Sequence, residues 1–355
     1  MNDVVDEPLV SIVVDNYDYA QFLGEAVRSA LDQSYGRTEV IVVDDGSRDG
    51  SRKVIRSFGD RIAPILKENG GQGSAFNAGF AASSGDLVLF LDSDDFLYAG
   101  AIEAAVAAFR EGVAKVHFRL TVVDGHGRPL GEYPPPGTPL DRGDVRPLLL
   151  ERAHYSTAVT SGNVFSRWAL EAVMPVPEAP FRYCADGYLN TLVPFEGEVA
   201  AIDTPLAAYR VHDRNFSTAS RGVDAQKFRS MVSHHLDLVG LIDGAAQRNG
   251  LRTGSNPLSR YAGHLESRLV SAKLEPSLHP IPGERPLRVA GQGIVATWRT
   301  AEMPPVRRVF DTVWFAAVAV TPSPVARKIV SWKYARGARP RVVQLMARGV
   351  RRLTG

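Results

Sequence analysis

Cysteine is almost absent: Cys184 is the single one in 355 residues. That excludes an intramolecular disulfide framework and fits a reducing compartment. No apolar run approaches the roughly 20 residues that a membrane-spanning helix needs. The first ten residues, MNDVVDEPLV, are acidic and carry no apolar core, so no signal peptide is expected. No internal repeat is found. The glycine-rich stretch at 69–74, NGGQGS, lacks the Gly-Lys-Ser/Thr ending, which excludes a P-loop. What remains is an ordinary globular composition, 45% hydrophobic and 23% charged. The length suits one large domain with an extension, or two domains.

Acidic residues are nearly missing from the C-terminal end. From Pro304 onward eleven Lys/Arg face one acid, Asp311, which leaves 30 basic and 38 acidic groups in the rest. The formal net charge of +2 therefore combines an acidic body with a basic tail. Such a tail suits an anionic partner.

The stretch SGDLVLFLDSDD at 84–95 organises the body. A turn leads into the apolar run LVLFL, which reads as a strand buried on both faces, as in a parallel sheet. The run ends in Asp92, Asp94 and Asp95. Carboxylates crowded at a buried strand end repel one another and are costly to desolvate. A hard divalent cation would offset that cost. The plainer reading is an acidic turn whose aspartates cap the next helix. Residues 9–14 and 39–43 read as two further strands, with helices after each and a short strand near 62–66. A small-residue helix at 75–83 and a clear one at 101–109 complete an alternating pattern, which implies a right-handed α/β sheet. Acids follow three of the strands. Ligands bind at the carboxyl ends of strands in such sheets. Later strands are expected at 116–123, 199–202 and 207–209, and mainly helix from 224 onward.

Five strings share an order and spacing: SIVVDNYDYAQFLGEAVRSALDQSY, EVIVVDDGSRDGS, ENGGQGSAFNAGFAASSGDLVLFLDSDD, SGNVFSR and YRVHDRN. They span residues 9–216, about three fifths of the chain. Together they resemble the inverting family-2-type glycosyltransferases of the GT-A fold. The resemblance implies a Rossmann-like, mostly parallel central sheet flanked by helices over residues 1–223. A mainly helical extension with the basic tail would occupy 224–355. It implies transfer of a sugar from a nucleoside-diphosphate sugar to a hydroxyl acceptor, with Mg²⁺ or Mn²⁺ as cofactor.

By that resemblance Asp45 accepts the N3–H of a uracil or thymine base, a fit for an ionised carboxylate. Its neighbour Asp44 is the other candidate, and the sequence does not decide which faces the base. Tyr17 matches the aromatic residue that packs on the base, or else is a core tyrosine at a strand end. Asp15-Asn16 stands where Pro-Thr is usual, which weakens the expectation of ribose contacts there. Gln72 and Asn77 are the polar candidates near the nucleotide. Asp92-Ser93-Asp94 matches the DxD motif, with Asp94 on the metal and Asp92 on ribose or metal. Asp186 is the candidate general base, in CADG, with Ala185 where Glu is common. The alternative for Asp186 is a helix N-cap. His212 resembles a histidine that closes over the diphosphate or metal. Arg210 and Arg214 are candidates to pair with phosphate.

Two other functions suit parts of this pattern: a nucleotidyltransferase of similar fold, and a non-catalytic nucleotide-sugar-binding protein. The first usually opens with a glycine-rich basic signature, absent here. The second would be expected to lose some of Asp45, Asp92, Asp94 and Asp186. Nucleic acid is not expected as a partner, since the acidic body repels phosphate and the tail has no recognisable motif. The acceptor class stays open among cell-surface polysaccharide, glycolipid or another lipid-linked glycan, and small molecules. Residues 339–353 place Val342, Val343, Leu345, Met346 and Val350 among arginines, an interfacial pattern on a helix. The tail either packs on the body or a second subunit, giving a homo-oligomer, or makes peripheral membrane contact. The expected location is cytoplasmic, with the second case placing it at the cytoplasmic membrane face.

Overall fold

The computed structural model describes residues 7–212, 224–254, 257–299 and 305–334. The chain divides into two compact units: Met1–Pro147 with Tyr155–Val211, and Leu148–His154 with His212–Gly355.

The first unit is built on β1 (Val10–Asn16), β2 (Thr38–Asp45), β3 (Ala63–Lys67) and β4 (Leu87–Asp92). They lie parallel in the order β3-β2-β1-β4. Val10, Ile12, Val13 and Val14 of β1 are all buried, which is why this strand reads as a continuous apolar run. The crossover helices are α1 (Ala20–Leu31), α2 (Ser51–Arg56) and α3 (Gln72–Ala82). Phe22, Leu23, Ala26, Val27 and Ala30 of α1 are buried, the set that its helical spacing predicts. On the α1 side Ile12 and Val14 meet Leu89 and Leu91. On the α3 side Phe76 stacks on Phe90, with ring centroids 4.1 Å apart.

The second half of the sheet mixes directions. It comprises β5 (Phe96–Leu97), α4 (Ala101–Ala108), β6 (Val113–Asp124), β7 (Pro129–Tyr133), β8 (Asn163–Ser166), α6 (Arg167–Val173), α7 (Ala185–Leu192) and β9 (Glu198–Val211). The helix α5 (Arg146–Arg152) runs across the unit boundary at Pro147. The full order is β3-β2-β1-β4-β8-β6-β9-β5, with β7 beside β6. The strand β8 is antiparallel to both β4 and β6, whereas β6 and β9 are parallel. Where two short strands were expected, β9 is one strand of 14 residues. Asp203-Thr204-Pro205 reads as a break because proline has no N–H for the ladder. The register shift opposite Arg119 absorbs it as a bulge.

The second unit holds α8 (Ala225–Arg248), α9 (Ala262–Leu274), α10 (Pro286–Arg299), α11 (Pro305–Val320) and α12 (Ser323–Tyr334). Phe228, Leu265, Leu269, Trp314, Phe315 and Val330 form its core. Lys333 donates to buried Asp311 at 2.9 Å and to half-buried Glu266 at 2.5 Å, and Arg307 also pairs with Asp311, so these acids are paired within the unit. Among the described residues no helix is long and apolar enough to cross a membrane. The segment 339–353 and Arg214 lie outside the described residues.

Gly79 of α3 has no spare room: a Cβ there would come within 2.2 Å of Val13 Cγ1. Gly79→Ala should force α3 off the sheet and cost roughly 1–3 kcal/mol, the range of overpacked cores. Urea unfolding checks it. An unchanged midpoint would show that α3 does not seat this closely on β1.

Candidate active site

Strand register gathers the polar residues. Asp15 of β1 pairs with Asp92 of β4, and Asn16 pairs with Asp44 of β2. Because the strands are parallel, their carboxyl ends share one edge, and the acids at those ends become neighbours.

Asp44 and Asp45 alternate along β2 and do different things. Asp44 accepts from Asn16 Nδ2 at 3.0 Å and from Arg52 Nε at 3.1 Å. Asn16 Nδ2 also reaches Ser47 Oγ at 3.0 Å, and Ser47 Oγ accepts from the Asp18 amide at 2.9 Å. Asp44 therefore ties the loop after β1 to the loop after β2. Between them Tyr17 is 43% exposed, which excludes the core-tyrosine reading.

Asp45 anchors the glycine-rich loop. It accepts from Lys67 Nζ at 2.7 Å, the Gly70 amide at 2.9 Å and the Gly71 amide at 2.7 Å. Gly71 sits at φ +89, and a Cβ there would lie 2.4 Å from Arg182 Cγ, so only glycine fits. The next two amides, of Gln72 and Gly73, donate to the carbonyls of Arg182 and Phe181. These four amides are thus used within the protein, and the loop is a joint between β2, α3 and the segment leading to α7.

Gln72 completes the joint. Its Nε2 donates to Asp92 Oδ1 at 3.1 Å and its Oε1 accepts the Ala185 amide at 2.9 Å. One side chain therefore links the acid cluster to the first turn of α7, which carries Asp186. Asn77 behaves otherwise. Its amide group exchanges hydrogen bonds with both the N–H and C=O of Val176, which occupies it as a backbone clamp.

Asp92, Asp94 and Asp95 bring one carboxylate oxygen each within 4.8 Å of one another. Asp95 is not a helix cap, because α4 starts at Ala101 with Gly100 as its N-cap. Instead it accepts from Ser161 Oγ at 2.7 Å and the Arg210 amide at 2.8 Å. The Arg210 side chain is buried behind this loop. Its Nε donates to the Asp94 carbonyl at 2.7 Å, its Nη2 to Glu25 at 2.5 Å, and it lies 4.6 Å from the Phe22 ring centroid. These contacts correct the expectation of a phosphate-facing arginine: the guanidinium supports the backbone of the acid loop. His212 is the first residue after β9 and belongs to the second unit.

Burial and crowding together govern protonation here. Burial first, then Asp94 and Asp186, push the Asp92 carboxyl up to about 8. Burial and the neighbouring aspartates also hold Asp15 and Asp95 well above the usual carboxylate range. Among the described residues Asp15 Oδ1, Asn16 Oδ1 and Ser93 Oγ are buried without a hydrogen-bond partner. Clustered carboxylates with unpartnered oxygens beside them are a hard-donor set, and they fit Mg²⁺ or Mn²⁺.

Asp186 is raised by burial and pulled back by the Gly187 amide and by Lys115. Sequence reasoning missed Lys115. It is fully buried in β6 and donates to Tyr155 Oη at 2.8 Å, Thr157 Oγ1 at 2.7 Å and Asn190 Oδ1 at 2.5 Å. His117 Nε2 faces the Asp141 carbonyl at 2.9 Å, so that nitrogen carries the proton, and Nδ1 accepts from Thr157. The signal was readable: Lys115, His117 and Arg119 alternate with Val116, Phe118 and Leu120, a polar face opposite a core face. Asp15 was also missed as an acid of the cluster, since it was read only as a departure from Pro-Thr.

Residues 11–165 match the family described as Glycosyl transferase family 2. The chain is 34% identical over 230 residues to an uncharacterized glycosyltransferase of Nostoc sp. (strain PCC 7120), covering 63% of this chain and 71% of that protein. It is 39% identical over 93 residues to TuaG of Bacillus subtilis, a putative teichuronic acid biosynthesis glycosyltransferase, covering 25% of this chain and 37% of that one. Among solved structures, residues 1–349 of S. aureus TarS align with a TM-score of 0.53 at 16% identity, over 92% of this chain and 91% of that one. The same TarS fragment has been solved with UDP-GlcNAc, and that structure aligns at a TM-score of 0.50 and 15% identity, with the same coverage. The TarS likeness bears on the fold alone, and the fold is GT-A.

A carboxyl whose folded pKa lies above its unfolded value binds more protons when folded. It therefore lowers stability as pH rises from its unfolded value, about 4, to its folded value, about 8 for Asp92. In chelator the thermal midpoint should fall across that window, and Asp92→Asn should flatten the fall. A wild-type midpoint that is level from pH 5 to 8 would rule out this crowding.

Proposed function

The chain belongs to glycosyltransferase family 2 and is a glycosyltransferase; from that premise we propose that it moves a sugar, with inversion, from a nucleoside-diphosphate sugar to a hydroxyl acceptor. The observation that carries this reading is the Gln72 bridge. It ties Asp92 of the acid cluster to the start of the helix bearing Asp186. Donor-binding and proton-accepting groups would then share one rim.

Asp92 and Asp94 would hold Mg²⁺ or Mn²⁺, which when bound supplies charge neutralisation to a diphosphate leaving group. Asp186 would accept the proton of the acceptor hydroxyl. The new bond forms between that oxygen and the anomeric carbon, the anomeric carbon–phosphate oxygen bond breaks, and the nucleoside diphosphate leaves. The opposing effects of burial and Lys115 on Asp186 suit a base that must ionise near neutral pH. Gln72 would keep the α7 N-terminus at a fixed distance from Asp92, and the Asn190–Lys115 contact would hold the far end of that helix. Orientation of this kind is a large part of what an enzyme contributes.

A uracil or thymine base is the proposed preference. Three donors already reach Asp45, and a carboxylate offers about four acceptor sites, so one is left for a base N3–H. Tyr17, exposed after β1, would pack on the base. Support for a nucleotide sugar comes from TarS, solved with UDP-GlcNAc. A cell-surface polysaccharide or glycolipid acceptor is supported by the name of TuaG, of which the match spans 37%.

Nucleoside-diphosphate release, measured across a panel of sugar nucleotides with each metal, tests donor and cofactor together. Turnover should need Mg²⁺ or Mn²⁺, stop in chelator, and vanish in Asp94→Ala with the fold intact. Full activity in excess chelator, or tight GDP binding without UDP or dTDP binding, would overturn the respective part.

For the base, Asp186→Asn should leave donor affinity nearly unchanged and lower kcat by roughly 10²–10⁴, the usual worth of general-base catalysis. Collapse of donor affinity with kcat preserved would make Asp186 a binding residue instead.

A further inference from the structure

Within the second unit, α11 is apolar on both sides. Trp314, Phe315, Val318 and Ala319 face inward and fill the core. Val306, Val309, Phe310, Val313 and Val320 face outward at helical spacing, with Val313 61% and Val320 69% exposed. At 1.5 Å per residue this stripe is about 21 Å long. A helix that is hydrophobic all round is normally buried all round. The neighbouring α10 adds exposed Leu287, Val295 and Trp298. The two helices lock where Phe315 covers Gly293 and where Trp298 Nε1 donates to Thr312 Oγ1 at 3.0 Å. An apolar surface of this extent marks an interaction site.

Charge selects the occupant. Arg288 and Arg299 are exposed on α10, and Arg308 lies 5.9 Å from the Trp298 ring centroid. From Arg285 to Gly355 the sequence has 14 Lys/Arg and two acids, Glu302 and Asp311. Asp311 is buried, and its carboxylate is taken by Arg307 and Lys333. A second copy seated on this face would bring one basic rim against another, and like charges oppose that contact. An anionic surface with an apolar interior complements both features. Trp298 suits the headgroup layer, where an indole has its ring in apolar material and its edge in water.

We propose that the α10–α11 face docks on an anionic lipid surface, lying in the interface with Val309, Val313 and Val320 among the acyl chains. The residues of this face are distinct from those proposed for the transfer chemistry.

Co-sedimentation of the full chain with phosphatidylcholine vesicles, and with vesicles containing phosphatidylglycerol, tests the proposal. Binding should require the anionic lipid and weaken at least tenfold between low and high salt. Val309→Glu with Val313→Glu should reduce it at least tenfold, while the basic residues all remain. Both positions are exposed, so the thermal midpoint should hold. Arg288→Gln with Arg299→Gln, which leaves the apolar stripe intact, should weaken binding several-fold. Absence of binding to anionic vesicles at low salt overturns the proposal. So does unchanged binding by the Val309/Val313 variant, which would move the contact to another basic segment. Sedimentation velocity without lipid supplies the last outcome: a dimer that the same variant dissociates assigns the face to a second copy and overturns the proposal.

Discussion

Four carboxylates, Asp15, Asp92, Asp94 and Asp95, are brought to one edge of a buried sheet, and their mutual repulsion is the constraint around which the first unit is arranged. Register puts them there: β1 and β4 are parallel neighbours, and their pairing ends with Asp15 opposite Asp92. Arg210 supports the acid loop through its backbone. That cation is spent on the Asp94 carbonyl and on Glu25, while its amide serves Asp95. The loop is thus held in shape from behind, with its carboxylates crowded together. Such an arrangement takes up protons or binds a hard cation.

The glycine-rich loop explains how the rest of the site is kept in step with that cluster. Asp45 holds its amides, the carbonyls of Phe181 and Arg182 hold the next two, and Gln72 spans from Asp92 to the amide of Ala185. Three segments far apart in sequence are tied through one short loop. A catalytic constellation needs such supporting bonds, because side chains on separate loops drift by more than the chemistry tolerates. The buried Lys115 serves the other end of α7. Burial holds its amine well below the usual lysine range, and Tyr155, Thr157 and Asn190 accept its hydrogen bonds.

The second unit obeys different rules. Its core is aromatic and aliphatic, and its buried charges are paired within it, as at Arg268–Glu284 and Lys333–Asp311. The apolar stripe on α11 is the departure, because nothing in folding this unit alone requires Val313 and Val320 to be apolar. Such a break in local consistency points to a partner.

The parallel β1 to β4 core, the crossover helices and the acids at the strand ends were legible in the sequence. Each is a local property: an apolar run, a helical period, a polar residue where the run stops. The family resemblance rests on the same local strings. Other features were not legible. Asn77 looked like a ligand residue and is clamped to Val176; Arg210 looked like a phosphate partner and supports the Asp94 backbone; β9 looked like two strands and is one. Lys115 and Asp15 went unassigned although both sit in the site. In each case the deciding partner lies far along the chain: Asn77 from Val176, Arg210 from Asp94, Lys115 from Asn190. The sequence by itself determined which residues stand at strand ends and which helices cover the sheet, because periodicity and turn chemistry act over a few residues. Only the tertiary structure decided which of those polar groups face one another and which are used up as scaffolding, because a hydrogen bond between distant segments exists only once register and packing have set their distance.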